Sequence, residues 1–446
     1  MKTTSSIFLP PLFPDETIPS LQHLFDRPDS EIEKIQFLSF DENHLEEQLS
    51  ESLSLYHNNR LSQKEILTLL LQAAELWKNP LSAYRILAEK WLPLTTGFTQ
   101  EMISRCLDIT FNEFTSKKLE QCYQSNNSPV INAKYHLHIH AGNVFTSGLF
   151  GIVYGLLSQR PQLVKPSSTE PLFPWLFTHS LLSLNPAIAV HIACCNWQGG
   201  NKSIESKVFA YTDNIFAYGD DETIEDLGKR VPEGITFHGY GHKFSFGIIR
   251  KADSLKDQFP LIAEKIAEDV ILYEQQGCMS PHFILVETGN KENLLRLGFH
   301  LAETLNGISN HIPPGNKTLE EKIQIKSIRD DLLFQSSLNQ DIKLFSSDNS
   351  LDWTVVCFQE PQIPISCLNR FIYLVSIPDI PSIIPLMRPF LGKIQTVGFW
   401  GIPEEKDTLG HLSDLFRANR ICVLGEMQKP IIEEIHPGKP NPADFY

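Results

Sequence analysis

Residues 271–286 read ILYEQQGCMSPHFILV, and the order of residue types there specifies a turn between two regular elements. Apolar spacing predicts a helix over Leu261–Glu274; Gln275-Gln276-Gly277 interrupts it, and Ser280-Pro281 turns the chain into a strand predicted over His282–Val286. Cys278 stands between the break and the turn. Gly277 permits dihedrals and close approaches closed to other residues, and Pro281 keeps the backbone from continuing as a helix. A thiol so placed is open to a substrate. A thiolate attacks carbonyl carbon at neutral pH better than a hydroxyl does, which makes Cys278 a candidate nucleophile. The alternative is a small buried hydrophobe, the ordinary state of a free cysteine.

Outward from this loop, the chain alternates strand and helix. Upstream, strands are predicted at Lys134–His140, Gln162–Lys165, Ala187–Cys195 and Asn214–Tyr218 and within Gly234–Arg250, with helices at Ser147–Leu157, Leu172–Leu182, Ser203–Tyr211 and Glu222–Arg230. Downstream, strands are predicted at Trp353–Phe358, Phe371–Ser376, Ile394–Trp400 and Ile421–Leu424. This alternation is that of parallel α/β sheets. The expected division is an extended arm over 1–60, with a strand at Lys34–Phe40, a nucleotide-binding α/β unit with leading helices over 61–251, a catalytic α/β unit over 252–425, and a proline-rich tail over 426–446 that docks on a neighbouring surface. The leading helices start at Ser62, where Ile66, Leu69, Leu70, Ala73 and Leu76 recur at helical spacing. No chemistry is evident in them.

Composition narrows the function. A chain of 446 residues with 42% hydrophobic and 20% charged residues builds a large core of two or three packed units. A formal charge of −15 argues against general nucleic-acid binding, which needs a basic surface. The apolar run Leu149–Leu157 is about half of what a bilayer requires and reads as a buried helix. The proline-broken patch Ile7–Phe13 makes a poor signal peptide. Eight cysteines without a CxxC pair fit a reducing compartment, so a cytoplasmic location is expected.

Other constellations have bland alternatives. His136, His138 and His140 alternate and so share one strand face; without nearby cysteines or carboxylates they read as a polar strand face rather than a zinc site. No GxGxxG follows a strand, and Gly199-Gly200-Asn201-Lys202-Ser203 lacks the first glycine of a Walker loop. Lys165, followed by Pro166-Ser167-Ser168, puts a positive charge and hydroxyls at a carboxyl strand end, where α/β folds bind ligands; a solvated lysine is the alternative. Asn143 stands at another such end, as an oxyanion donor or as a helix cap.

Taken in order, the stretches AGNVFTSGLFGIVYGLLS (141–158), VKPSS (164–168), AYGDDETI (217–224), GYGHKFSFGIIR (239–250) and EQQGCMSP (274–281) resemble the acyl-CoA reductases typified by the fatty-acid reductase of bacterial bioluminescence (LuxC type), a branch of the aldehyde dehydrogenase superfamily. RICVLGEMQKP (420–430) matches more weakly, and the first hundred residues only in helical character. The resemblance implies an aldehyde dehydrogenase-like α/β fold of two parallel α/β domains, with an N-terminal helical layer and a small oligomerisation element. It implies Cys278 as catalytic thiol, Asn143 as oxyanion donor, and Lys165, Ser168, Gly219 and Gly241 at the dinucleotide. Two departures refine it. Gly239 stands where hydrolytic relatives carry the glutamate that activates water, which favours thioester reduction over oxidation to acid. Ser168 stands where NAD-preferring relatives carry a ribose-binding glutamate, so NADPH is expected, with NADH also admitted.

The implied reaction is NADPH-dependent reduction of a fatty acyl-CoA to the aldehyde through an S-acyl-cysteine. The alternatives are a cysteine acyltransferase or thioesterase, and a non-catalytic subunit of a reductase complex. A homo-oligomer and an acyl-protein synthetase or acyl carrier partner are implied. No metal is expected.

Overall fold

The computed structural model describes residues 6–8, 44–124, 132–401 and 408–432, which form two sheets and a helical layer. The first sheet has the order β1-β4-β3-β2-β5-β6, from Ser6–Phe8 (β1), Tyr135–Ile139 (β2), Gln162–Lys165 (β3), Ile192–Asn196 (β4), Thr212–Tyr218 (β5) and Thr236–Tyr240 (β6). Its strands are parallel except β1, which lies antiparallel against β4. The chain runs outward from β2 to β4 and then crosses back to β5. The order therefore reverses between β2 and β5, the place where open α/β sheets form their ligand crevice.

The second sheet has the order β13-β12-β7-β8-β11-β10-β9, built from Phe244–Ile249 (β7), Pro281–Glu287 (β8), Ile342–Ser346 (β9), Thr354–Phe358 (β10), Phe371–Ile377 (β11), Ile394–Trp400 (β12) and Arg420–Val423 (β13). Only β9 is antiparallel. Strand β7, expected within the unit 61–251, pairs with β8 and β12 and thus belongs to this sheet. The link from Tyr240 at the end of β6 to Phe244 at the start of β7 is very short. It sets the carboxyl edge of the first sheet against the amino edge of the second. Every residue proposed for the site lies near that seam.

Local chemistry explains most elements. The helix Gln63–Lys78 begins at a capping box in which Ser62 and Glu65 satisfy each other's backbone N–H groups, and its apolar face, Ile66 to Trp77, is buried. In the first sheet, His136 and His138 are buried on the face that meets the helix Leu149–Leu157. That helix approaches closely because glycines form its near side. A β-carbon at Gly148 would lie 2.3 Å from His140 Nε2, at Gly151 3.2 Å from His138 Cε1, and at Gly155 2.2 Å from Gln162 Oε1. His138 Nε2 bonds Gln162 Oε1 at 2.7 Å, and its ring stacks on Phe216 at 5.1 Å, which stacks on His238 at 4.7 Å. The histidine row is therefore packing across strands in register. Burial holds His138 down at about 4 and His140 at about 3, so both rings are neutral. Among the described residues no His, Cys, Asp or Glu cluster has metal-holding geometry.

Several expectations need correction. The predicted strand Ala187–Cys195 is a 3-10 turn over Pro186–Val190, capped by Asn185, before the shorter β4. The arm over 1–60 is not extended throughout: Leu45–Asn59 is a helix whose Leu45, Leu49 and Leu53 join a core with β2 to β5. The strand expected at Lys34–Phe40 lies outside the described residues. The helices Lys291–Ser309 and Leu319–Leu338 were not anticipated. Of the tail, residues 426–432 dock on the body, with Met427 N–H donating to buried Asp269 at 2.8 Å. No described helix is long and apolar enough to cross a membrane.

The glycine face of Leu149–Leu157 yields a test. Gly155→Leu forces a side chain into the Gln162–His138 contact and is expected to cost about 1–3 kcal/mol, the usual range for overpacking. Urea unfolding compared with the parent chain measures it.

Candidate active site

The helix expected to end at Glu274 stops at Ile271, and the residues that follow leave helical geometry. Tyr273, Glu274 and Gln275 have φ of 53°, 52° and 63°, in the left-handed region that non-glycine residues seldom occupy. That turn carries the chain around to an exposed Cys278. Of the eight cysteines, Cys106, Cys122, Cys194, Cys195 and Cys357 are buried, and Cys367 and Cys422 are partly so. Exposure alone thus separates Cys278 from the rest.

The loop is held from several sides. Ser245 Oγ donates to the Cys278 carbonyl at 2.7 Å and accepts Thr396 N–H at 2.9 Å, which ties the loop to β7 and β12. Gln428, from the docked tail, bonds Ser280 Oγ and the Leu272 carbonyl. The Tyr273 hydroxyl meets Thr146 Oγ1 at 2.8 Å in the loop after β2, and its ring packs against Phe145 of that loop and Phe98 of the helical layer. The leading helices therefore serve the site after all, as the wall against which the loop is set.

Asn143 arrives from the other sheet. It follows β2, is exposed, and its Nδ2 donates to the Gln276 carbonyl at 2.9 Å. A side-chain amide has two N–H donors, so this bond commits one and leaves the other. The residues expected to act together, 135 positions apart in the chain, are thus brought to one loop. The protein surrounding the thiol raises its pKa to about 11, and the half-buried Lys243 opposes that rise.

The expected dinucleotide residues lie along the same seam. Lys165 ends β3, is 8% exposed, and its ammonium bonds the Pro166 carbonyl at 3.4 Å and sits 5.7 Å from the Trp197 ring centre. It makes no ion pair within the described residues, which leaves donors for an anionic or hydroxylated ligand. Ser168 beside it is exposed. Glu170 is buried and turned inward: its Oε1 accepts the N–H groups of Leu172 and Phe173 at 2.9 and 3.0 Å and starts the helix Leu172–Leu184. Burial lifts its pKa to about 7. Its carboxyl is therefore spent on the helix and not offered beside Lys165.

The turn at Gly219 is less open to phosphate. Asp220 caps the helix Asp221–Arg230 by accepting Thr223 N–H at 2.7 Å, and Asp221 accepts His242 N–H at 2.7 Å and meets Lys393 at 3.2 Å. A β-carbon at Gly241 would lie 2.4 Å from Asp221 Oδ1, so this glycine makes room for that carboxylate. At Gly239 a β-carbon would lie 2.4 Å from Ile224 Cγ2, which shows that position 239 faces the helix Asp221–Arg230. A carboxylate could not stand there without displacing Ile224.

The acyl-CoA reductase (LuxC) family matches residues 58–441. The chain belongs to that family. It is 25% identical over 396 residues to the long-chain acyl-protein thioester reductase of Photorhabdus luminescens, covering 81% of this chain and 78% of that one. It is 21% identical over 391 residues to the protein of the same name from Vibrio harveyi, covering 83% and 78%. Solved structures similar to this LuxC-family chain include an NAD-dependent benzaldehyde dehydrogenase from Corynebacterium glutamicum (TM-score 0.65, 13% identity, 88% of this chain and 86% of that one). A salicylaldehyde dehydrogenase from Pseudomonas putida G7 superposes with TM-score 0.65 at 12% identity, over 90% and 85%. The fold is that of the aldehyde dehydrogenases, as the resemblance implied.

The raised thiol pKa has a measurable consequence. Well below pH 11 only a small fraction of Cys278 is thiolate, and there that fraction grows about tenfold per pH unit. Alkylation of Cys278 by iodoacetamide, followed by peptide mass mapping, is expected to accelerate with that slope from neutral pH upward. Lys243→Gln removes the favourable charge and is expected to slow alkylation at any one pH.

Proposed function

We propose that this LuxC-family chain reduces a long-chain acyl thioester to the aldehyde through an S-acyl intermediate on Cys278, with NADPH as the reductant. The Asn143–Gln276 bond carries the reading, because it brings a side-chain amide from one sheet to the loop that presents the exposed thiol, two residues from Cys278. Cys278 sulfur attacks the thioester carbonyl, forming a C–S bond. The second amide hydrogen of Asn143 and the Cys278 N–H receive the developing oxyanion, each such donor contributing about 3 kcal/mol. The tetrahedral intermediate collapses with loss of the donor's sulfur, which takes the proton that Cys278 gave up. The acyl group is then on the enzyme and the donor is a free thiol.

Lys165 and Ser168 are the residues suited to the dinucleotide's adenosine ribose, since the first has donors to spare and the second has no charge to repel a 2′-phosphate. The acidic cap at Asp220 makes the Gly219 turn a weak phosphate site, so the lysine end carries more of the binding. When bound, the dinucleotide supplies the hydride that converts the acyl group to the oxidation level of an aldehyde. Cys278 is then the leaving group, and its departure frees the product. Gly239 offers no base to activate water, so the S-acyl enzyme persists until it is reduced.

The relatives are named for acyl-protein thioesters, and we assign the donor accordingly: an acyl group carried on a protein thiol, delivered by a partner protein to a homo-oligomeric reductase. A free CoA ester presents the same reactive carbonyl and serves as a probe. Intact mass after mixing with palmitoyl-CoA is expected to show one acyl adduct, absent in Cys278→Ala, that NADPH removes with release of the aldehyde. An adduct that NADPH leaves in place would instead favour acyl transfer, and aldehyde formation by Cys278→Ala would refute the thiol's role.

A further inference from the structure

The left-handed turn before Cys278 has a counterpart. Leu368, Asn369 and Arg370, just before β11, have φ of 64°, 57° and 60°. The two triplets face each other and are bonded along their length. Asn369 N–H donates to the Glu274 carbonyl at 2.9 Å, and Phe371 N–H to Gln275 Oε1 at 2.8 Å; Gln275 Nε2 returns bonds to the carbonyls of Phe371 at 3.0 Å and Pro281 at 2.7 Å. At the centre, Arg370 grips Glu274 in a fork, Nε to Oε2 at 3.1 Å and Nη2 to Oε1 at 2.7 Å, with side-chain exposures of 0% and 3%.

The remaining donors of Arg370 go to the carbonyls of Ile312 and Pro313 at 3.0 and 3.2 Å and to Ser309 Oγ at 3.3 Å. Gly315 N–H adds a contact to Glu274 Oε1 at 3.3 Å. The link that carries Pro313 and Gly315 is itself fastened to the leading helices, by Thr99 Oγ1 to the Pro313 carbonyl at 3.2 Å and Asn316 N–H to the Gly97 carbonyl at 2.7 Å. One ion pair thus joins the thiol loop, the β11 approach, the link after Ser309 and the helical layer. Six non-glycine residues in a seldom-used conformation persist only where their surroundings dictate it, and such strain gathers at functional sites.

We propose that Glu274 and Arg370 are positioning residues for acyl transfer: their buried pair fixes the left-handed turn that sets the Gln276 carbonyl under Asn143 and so aligns the oxyanion donors with Cys278. The inference rests on the Cys278 reading above. Neither side chain touches substrate; both act through the backbone of residues 273–278. Their loss is then expected to impair a reaction that needs the oxyanion donors while sparing one that needs only the exposed thiol.

The test compares two rates on folded protein: single-turnover acylation of Cys278 by palmitoyl-CoA, read by intact mass, and alkylation of Cys278 by iodoacetamide. In Glu274→Gln, acylation is expected to fall on the order of tenfold to a hundredfold, the usual consequence of displacing a reacting group by about an ångström, with alkylation and NADPH affinity little changed. The double variant Glu274→Met with Arg370→Met removes both charges together and leaves neither buried alone, so it tests the same point where the single variant does not fold. Acylation at the parent rate, or an equal fall in both reactions, would overturn the proposal while leaving the thiol reading intact. Absence of any adduct in the parent chain would overturn the thiol reading first, and this one with it.

Discussion

The buried pair of Glu274 and Arg370 is the constraint on which the rest of the site depends. Removing two opposite charges from water costs several kcal/mol, and their attraction offsets this only where geometry is good and every other donor is met. Here the fork is bidentate, and the other guanidinium hydrogens reach carbonyls and a hydroxyl. Such a pair adds little to net stability, but breaking it leaves a charge stranded in the interior. It therefore acts as a latch. Tyr273, Glu274 and Gln275 would relax toward ordinary dihedrals without it, and Cys278 would move with them.

A second constraint works on the opposite side of the seam. Asn143 meets the thiol loop from a segment that packs down after β2, where the glycines at 148, 151 and 155 lie close over His140, His138 and Gln162. Larger residues would lift the helix Leu149–Leu157 off the sheet. The histidines are uncharged and stacked, so they add bulk without adding a charge that would need a partner. The two sheets thus hold their halves of the site by different means: steric closeness in the first, an ion pair in the second. The Asn143–Gln276 bond is where the two meet.

Much of this was legible in the sequence, for stated reasons. Strands β2, β3, β5, β8 and β12 are short runs built around apolar residues and bounded by breakers, and the chain order of the motifs pointed to Cys278, Asn143 and Lys165. The helix Leu319–Leu338 was missed because its pattern misleads: Leu319, Ile323, Phe334 and Leu338 are exposed, while an arginine, Arg329, is buried with Ile325 and Leu332. Glu274 read as the last residue of a helix because helical spacing continued through it and nothing local announces a left-handed run of Tyr, Glu and Gln. Its partner lies 96 residues away. Pairings of that kind come from tertiary packing, and no window along the chain contains both members.

The chemistry of the thiol follows from the same physical setting. Surrounding protein pushes the Cys278 thiol up to about 11, so at neutral pH its thiolate is the minor form. On the proposed reading, the thiol carries the acyl group once the donor's sulfur has left. A hydrolase would next need a base close to the acyl carbon, and the side chain of position 239 is a hydrogen packed toward Ile224. On the proposed reading of Cys278, a site with no carboxylate at position 239 suits an enzyme that keeps its acyl group until a hydride arrives.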